Sequence, residues 1–121
     1  MDSAAPLPRI ALLAQDAVRR DGLTERCRAT LPGARIEPVR DMVDLMIRVA
    51  AGTTDIVVID GQAGEPLPEE GATMLKGLHA TLQVVIVDAP AGIPVPHRVD
   101  KLLDSAVLGE WLARQYPEGT S

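Results

Sequence analysis

The chain has 121 residues, 46% of them hydrophobic, which suits one domain with an aliphatic core and excludes a disordered chain. Seventeen Asp and Glu against 12 Lys and Arg give a net charge of −5, and one Trp, one Tyr and no Phe leave neither phosphate-tracking charge nor stacking platforms for nucleic acid. No apolar run approaches the ~20 residues of a membrane span and no secretory signal is visible. The lone Cys27 can neither close an internal disulfide nor by itself hold a structural zinc, so cytoplasmic residence is the expectation.

Residues 1–8 read as an extension before the first element. Residues 9–14 (RIALLA) form a nearly continuous apolar run of strand length. Residues 18–31 are helical in pattern, with Leu23, Cys27 and Leu31 on one stripe, which makes Cys27 a small core residue rather than a reactive thiol. The basic cluster Arg19, Arg20, Arg26 and Arg28 is interleaved with Asp16, Asp21 and Glu25 and reads as a solvated helix face with internal ion pairs. Residues 34–39 alternate and contain Pro38, the mark of an edge strand. A second helix is predicted over residues 42–51, with Asp41 as its N-cap and Gly52 as its stop.

Residues 55–60 (DIVVID) and 83–88 (QVVIVD) are apolar on both faces, as strands in the middle of a parallel sheet must be. Between them the pattern predicts a third helix over residues 69–80, with Met74, Leu75 and Leu78 inward. A short edge strand is expected around residues 97–100, after Pro94 and Pro96. The last helix begins at Asp104 or Ser105 and carries Leu108, Trp111 and Leu112 at i, i+3 and i+4. Residues 117–121 read as a tail or linker. Strands alternating with helices through short links predict an open parallel sheet covered on both faces.

In such folds ligands bind in the crevice outside the carboxyl ends of the strands. Asp16 lies just past the first strand, Asp60 ends the third, Asp88 ends the fourth and Lys101 follows the fifth. Three carboxylates and an amine on one rim suit a hard cation such as Mg²⁺, or raise one another's pKa; the bland alternative is that polar residues merely terminate apolar strands. His79 and His97 have no partnered Ser or Cys and read as surface residues.

Over residues 9–112 the chain resembles the receiver domain of bacterial two-component response regulators (CheY-like). The likeness rests on LMIRVAAGTTDIVVID, which puts Asp60 at the phosphoacceptor position, and on EEGATMLKGLHA, similar to the family's third helix with Gly71 as its glycine. QVVIVDA matches strand four, and KLLDSAVL resembles the segment holding the family's essential Lys, here Lys101. The resemblance implies a flavodoxin-like three-layer α/β/α sandwich whose five parallel strands run in the order 2-1-3-4-5.

The departures are local. Ala14 and Gln15 stand where the family carries two Mg²⁺-binding acids, with Asp16 one residue beyond. Asp88 replaces the Thr or Ser after strand four, Arg98 the switch aromatic, and Leu102 the Pro after the Lys. Only twelve residues separate Asp88 from Lys101, several of them Pro or Gly, so the fourth helix is expected to be reduced or missing.

What the resemblance implies is then a signalling domain over residues 9–116, not an enzyme and without a cofactor: a pseudo-receiver that works independently of phosphorylation. Its partners would be a sensor kinase, another receiver, an output domain or a second copy. Two alternatives stand beside it. One is a phosphoacceptor using Asp60, with a rearranged Mg²⁺ site drawing on Asp16 and Asp60. The other is a small flavodoxin-like enzyme or cofactor-binding protein, against which the missing aromatics and phosphate loop count. Trp111 and Tyr116 form a candidate contact surface, although Trp111 shares the stripe of Leu108 and Leu112 and reads first as packing on the sheet.

Overall fold

A computed structural model describes residues 7–61, 69–92 and 99–117. Its elements in chain order are β1 (Arg9–Leu13), α1 (Ala17–Thr30), β2 (Arg35–Val39), α2 (Met42–Ala50), β3 (Ile56–Asp60), α3 (Glu69–Leu78), β4 (Gln83–Val87), β5 (Lys101–Leu103) and α4 (Ser105–Gln115). All strand pairs are parallel, and the sheet order is β2-β1-β3-β4-β5, as the resemblance implied. The apolar runs take the middle because only there are both faces of a strand covered. β2, with Pro38 opposite Leu12, takes an edge, where a missing N–H costs no ladder bond on the open side.

Alternation along each strand divides the core in two. Ile10, Leu12, Ile56, Val58, Val85 and Val87 pack under α1 and α4, against Leu23, Cys27, Leu31, Leu108 and Leu112. Ala11, Val57, Ile59, Val84 and Ile86 face the other way, under Leu45 and Val49 of α2 and Ala72 and Leu75 of α3. Cys27 is fully buried, and burial pushes its thiol up to about 11 against the opposing field of Arg26. The thiol should therefore resist a chromogenic disulfide reagent in the native protein and react only in denaturant; rapid native labelling would show that α1 does not hold Cys27 in the core.

The caps of α2 follow the sequence: the Asp41 carboxylate accepts from the Asp44 amide at 2.8 Å, and Gly52 ends the helix with φ +75°. Three expectations need correction. Met74 and Leu78 are 53% and 46% exposed, because the face of α3 that meets the sheet is built from Gly71, Ala72 and Leu75. The fifth strand starts at Lys101 rather than ending before it: the Asp100 carboxylate accepts from the Val84 amide, and Leu102 pairs with Ile86. Arg19 does not belong to a solvated face, because its guanidinium turns inward to Asp60 and Asp88. Among the described residues no helix lies between β4 and β5; His97 and Arg98 are outside the described residues.

Candidate functional site

Parallel strands place the carboxyl ends of β1, β3 and β4 side by side, and the residues that follow them form one rim. Asp60 is the last residue of β3 and its side chain is fully buried, so it requires a positive or donating partner. Asp88 follows β4 with φ +56°, a left-handed conformation that Asp tolerates better than most residues. That turn is held by the Asp88 amide, which donates to the Leu103 carbonyl at 2.9 Å. Gly61 continues the rim, its amide donating to the Val87 carbonyl at 2.7 Å.

The partner of both carboxylates is Arg19. Its Nε donates to Asp60 Oδ2 at 2.7 Å and its Nη2 to Asp88 Oδ2 at 2.6 Å, so one guanidinium bridges the ends of β3 and β4. The entry of α1 aims it there. Asp16 is the N-cap, its carboxylate accepting from the Arg19 amide at 2.9 Å, and the Arg20 guanidinium donates to the Ala14 and Gln15 carbonyls, pinning the link between β1 and α1. Arg19 lies in the first turn of α1, directly above the rim. Its guanidinium is held more firmly protonated than usual by the bonds it donates to Asp60 and Asp88. Burial pushes the Asp88 carboxyl up, but the Ser105 amide and Arg19 outweigh it and hold the group below the usual carboxylate range.

Asp88 also reaches α4. Its Oδ1 accepts from the Ser105 amide at 2.8 Å, satisfying a first-turn donor that Asp104, the N-cap by position, leaves without a side-chain bond. A continuous polar chain thus runs from α1 through Asp60 and Asp88 to the start of α4. It ties both helices that cover that face, α1 and α4, to the ends of β3 and β4.

The structure brings together part of the predicted set. Asp60 and Asp88 share the rim with Asp16, whose carboxylate is spent on the cap and is exposed. Ala14 is buried in the core and Gln15 is exposed. Lys101 opens β5 opposite Val85, two residues and roughly 7 Å of strand rise before the rim, with an exposed side chain. Arg19 is the residue that sequence reasoning missed.

The donor set does not fit Mg²⁺. Ala14 offers a methyl group, Gln15 faces solvent with its carbonyl bonded to Arg20, and the two rim carboxylates already carry a fixed cation. Among the described residues no group of three His, Cys, Asp or Glu could hold a metal ion. A second concavity of about 410 Å³ opens at the opposite, amino end of the sheet, lined by Leu7, Pro8, Arg9, Asp55, Thr81, Gln83 and Tyr116. Its charges are closed on themselves: Arg9 grips Asp55 through its amide, Nε and Nη2 at 2.8, 3.1 and 3.0 Å. Trp111 and Tyr116 pack, half-buried, against the core under α1 and α4.

Among solved structures the chain is similar to a signal receiver domain of an HD domain-containing protein from Pseudomonas fluorescens Pf-5, with TM-score 0.74, 11% identity and 98% and 90% of the two chains covered. It is also similar to a CheY-like response regulator receiver domain protein from Methanospirillum hungatei JF-1 (TM-score 0.69, 13% identity, 94% and 97% covered). A third is a protein provisionally named for pilus assembly from Burkholderia thailandensis E264 (TM-score 0.69, 18% identity, 93% and 98% covered). No protein-family model and no curated protein matches the sequence. The chain has the fold of response-regulator receiver domains, and no helix among its described residues is long and apolar enough to cross a membrane.

Proposed function

We propose that this chain is a receiver-like signalling domain whose phosphorylation pocket is closed by its own arginine, and that it works through protein–protein contact without a phosphoaspartate. The observation that carries this is the Arg19 guanidinium held between Asp60 and Asp88 at 2.7 and 2.6 Å. Phosphoryl transfer to a carboxylate needs a free nucleophilic oxygen, and a metal ion to neutralise the equatorial oxygens. Here Asp60 Oδ2 accepts a charge-assisted hydrogen bond, and the carboxylate of Asp88 stands where an incoming phosphoryl group would meet like charge. Ala14 and Gln15 supply no metal-binding acids.

A domain with such a pocket stays in one state, so its use is as a contact surface. The partner classes are a sensor kinase, another receiver or an output domain; the likeness to a protein provisionally named for pilus assembly adds an assembly factor. An enzymatic role finds no support in the rim: among the described residues no general base faces a nucleophile there, and both carboxylates are engaged by Arg19.

The test is incubation with acetyl phosphate and Mg²⁺, and separately with beryllofluoride, followed by intact mass and ¹⁹F spectra. No stable adduct is expected on the wild-type chain. An adduct that forms on the wild type and disappears in Asp60→Asn would overturn the reading in favour of an active phosphoacceptor.

A further inference from the structure

Helix α4 begins without a side-chain cap of its own. Asp104 has the extended backbone of an N-cap (φ −79°, ψ 145°), and its carbonyl accepts from the Val107 amide at 3.0 Å. Its carboxylate, however, makes no capping bond, and the residue is exposed. The carboxylate at this helix end comes instead from Asp88, whose Oδ1 accepts from the Ser105 amide at 2.8 Å. Asp88 reaches it from a left-handed backbone, φ +56°, that a glycine would adopt at less cost. Two further bonds hold it there: its amide donates to the Leu103 carbonyl at 2.9 Å, and Arg19 Nη2 donates to its Oδ2 at 2.6 Å. Beyond the first turn, α4 is pinned by packing. Leu108 and Leu112 are fully buried, and Gly109 sits so close to α1 that a Cβ there would lie 2.7 Å from Thr30 Oγ1. The first turn has no such anchor, since Ala106 and Val107 are exposed.

We infer that α4 has two alternative caps and that the rim selects between them. In one state Asp88 holds the Ser105 amide and Asp104 points to solvent; in the other Asp88 withdraws and the Asp104 carboxylate turns in to cap the first turn. Two carboxylates at one helix end repel, so each cap disfavours the other. The exchange is nearly balanced, because one Asp cap replaces another and withdrawal lets Asp88 leave its left-handed backbone. Arg19 tips the balance toward the first state by fixing the far oxygen of Asp88. Its engagement is therefore felt two bonds away, at the start of α4.

A helix end with two states is a regulatory element, biased by any contact made to one of them alone. The first turn of α4 is the part that moves, pivoting on the Gly109 contact, and Asp88 couples it to α1 through Arg19. A partner that engages the exposed first turn changes the hold on Arg19, and a contact that draws Arg19 off the rim changes the first turn by the same coupling. No phosphorylated state enters this device, so it does not depend on whether Asp60 takes a phosphoryl group.

Amide hydrogen exchange, read by ¹H–¹⁵N spectra of the intact chain, tests this. In the wild type the Ser105 amide should exchange about tenfold more slowly than a first-turn amide open to water. Asp104→Ala should change the amides of residues 107–109 by less than about twofold, although Asp104 is the N-cap by position. Asp88→Gly removes the carboxylate and suits the backbone angle, so the protein should fold. In it Ser105 should lose its protection while residues 107–109 keep theirs, because Asp104 now caps. Adding Asp104→Ala to Asp88→Gly should then speed exchange at residues 107–109 about tenfold and leave the α3 amides of residues 73–77 unchanged. Arg19→Met should speed Ser105 exchange as well. A Ser105 amide open to water in the wild type, or Asp104→Ala acting alike with and without the Asp88 carboxylate, overturns the inference. Neither result bears on the acetyl phosphate test, which reads Asp60 alone.

Discussion

Arg19→Met should destabilise the fold by about 3 kcal/mol at pH 7, read as a lower urea midpoint at unchanged slope. The methionine keeps most of the apolar stem and removes the guanidinium, that is, the cation together with the donors that bond Asp60 and Asp88. What remains is a fully buried Asp60 side chain beside Asp88, 15% exposed, with no guanidinium between them. Two carboxylates that share a site repel, and burial penalises each charge. The pH dependence identifies the cause. In the wild type Asp88 is held below the usual carboxylate range, so its contribution is present above the unfolded pKa of about 4 and is lost as pH falls through the lower folded value. In the variant the carboxylate pair takes up a proton more readily, which relieves the repulsion as pH falls. The stability gap between the two proteins should therefore narrow steadily from neutral pH to pH 4. Asp55, held low by its bonds from Arg9 at the other end of the sheet, titrates alike in both and serves as the internal reference. A gap under about 1 kcal/mol at pH 7, or one that does not change with pH, would mean that Arg19 is a surface ornament. A double cycle with Asp60→Asn should show coupling of about 1–3 kcal/mol.

Why Arg19 escaped the sequence reading, when the strands around it did not, is a matter of which forces leave a periodic trace. β1, β3 and β4 announce themselves because both faces are buried, so every position between their polar ends, Arg9, Asp60 and Gln83, is apolar. Asp41 and Gly52 mark the ends of α2 because capping has its own chemistry. Met74 and Leu78 misled because apolar spacing on a helix does not say which side meets the sheet; close approach through Gly71 and Ala72 did, and small residues carry little hydrophobic signal. β5 is three residues long with Lys101 and Leu102 exposed, so its apolar pattern is nearly absent. Arg19 obeys no period at all. Its aim comes from the Asp16 cap and the Arg20 bonds to the β1 exit. A charge count would have found it: two acids at adjacent strand ends, with the metal-binding acids replaced by Ala14 and Gln15, demand a cation from elsewhere. The first turn of the helix after β1 is the nearest place from which an arginine can supply it.

The rim also rests on a close backbone approach, and Gly61→Ala should cost about 3 kcal/mol by forcing it open. A Cβ at Gly61 would lie 2.8 Å from Ala89 Cα and 3.0 Å from both the Ala89 nitrogen and the Val87 oxygen. All three are backbone atoms, so no side chain can turn aside; the ends of β3 and β4 must separate. Separation lengthens the 2.7 Å bond from the Gly61 amide to the Val87 carbonyl and moves Asp60 away from Asp88, which the fork of a single guanidinium cannot follow far. The added cost of Arg19→Met should accordingly fall in the Gly61→Ala background, since the bridge is already weakened there. Gly77→Ala is the matched control: nothing lies within 4 Å of a Cβ at that helical position, and the change should stabilise by about 0.5–1 kcal/mol through helix propensity alone. If both glycine variants unfold within about 0.5 kcal/mol of the wild type, the rim is not as tightly drawn as the Gly61 contacts require. If Gly61→Ala is destabilised but the full effect of Arg19→Met persists in it, then the strand ends and the arginine bridge are separate supports.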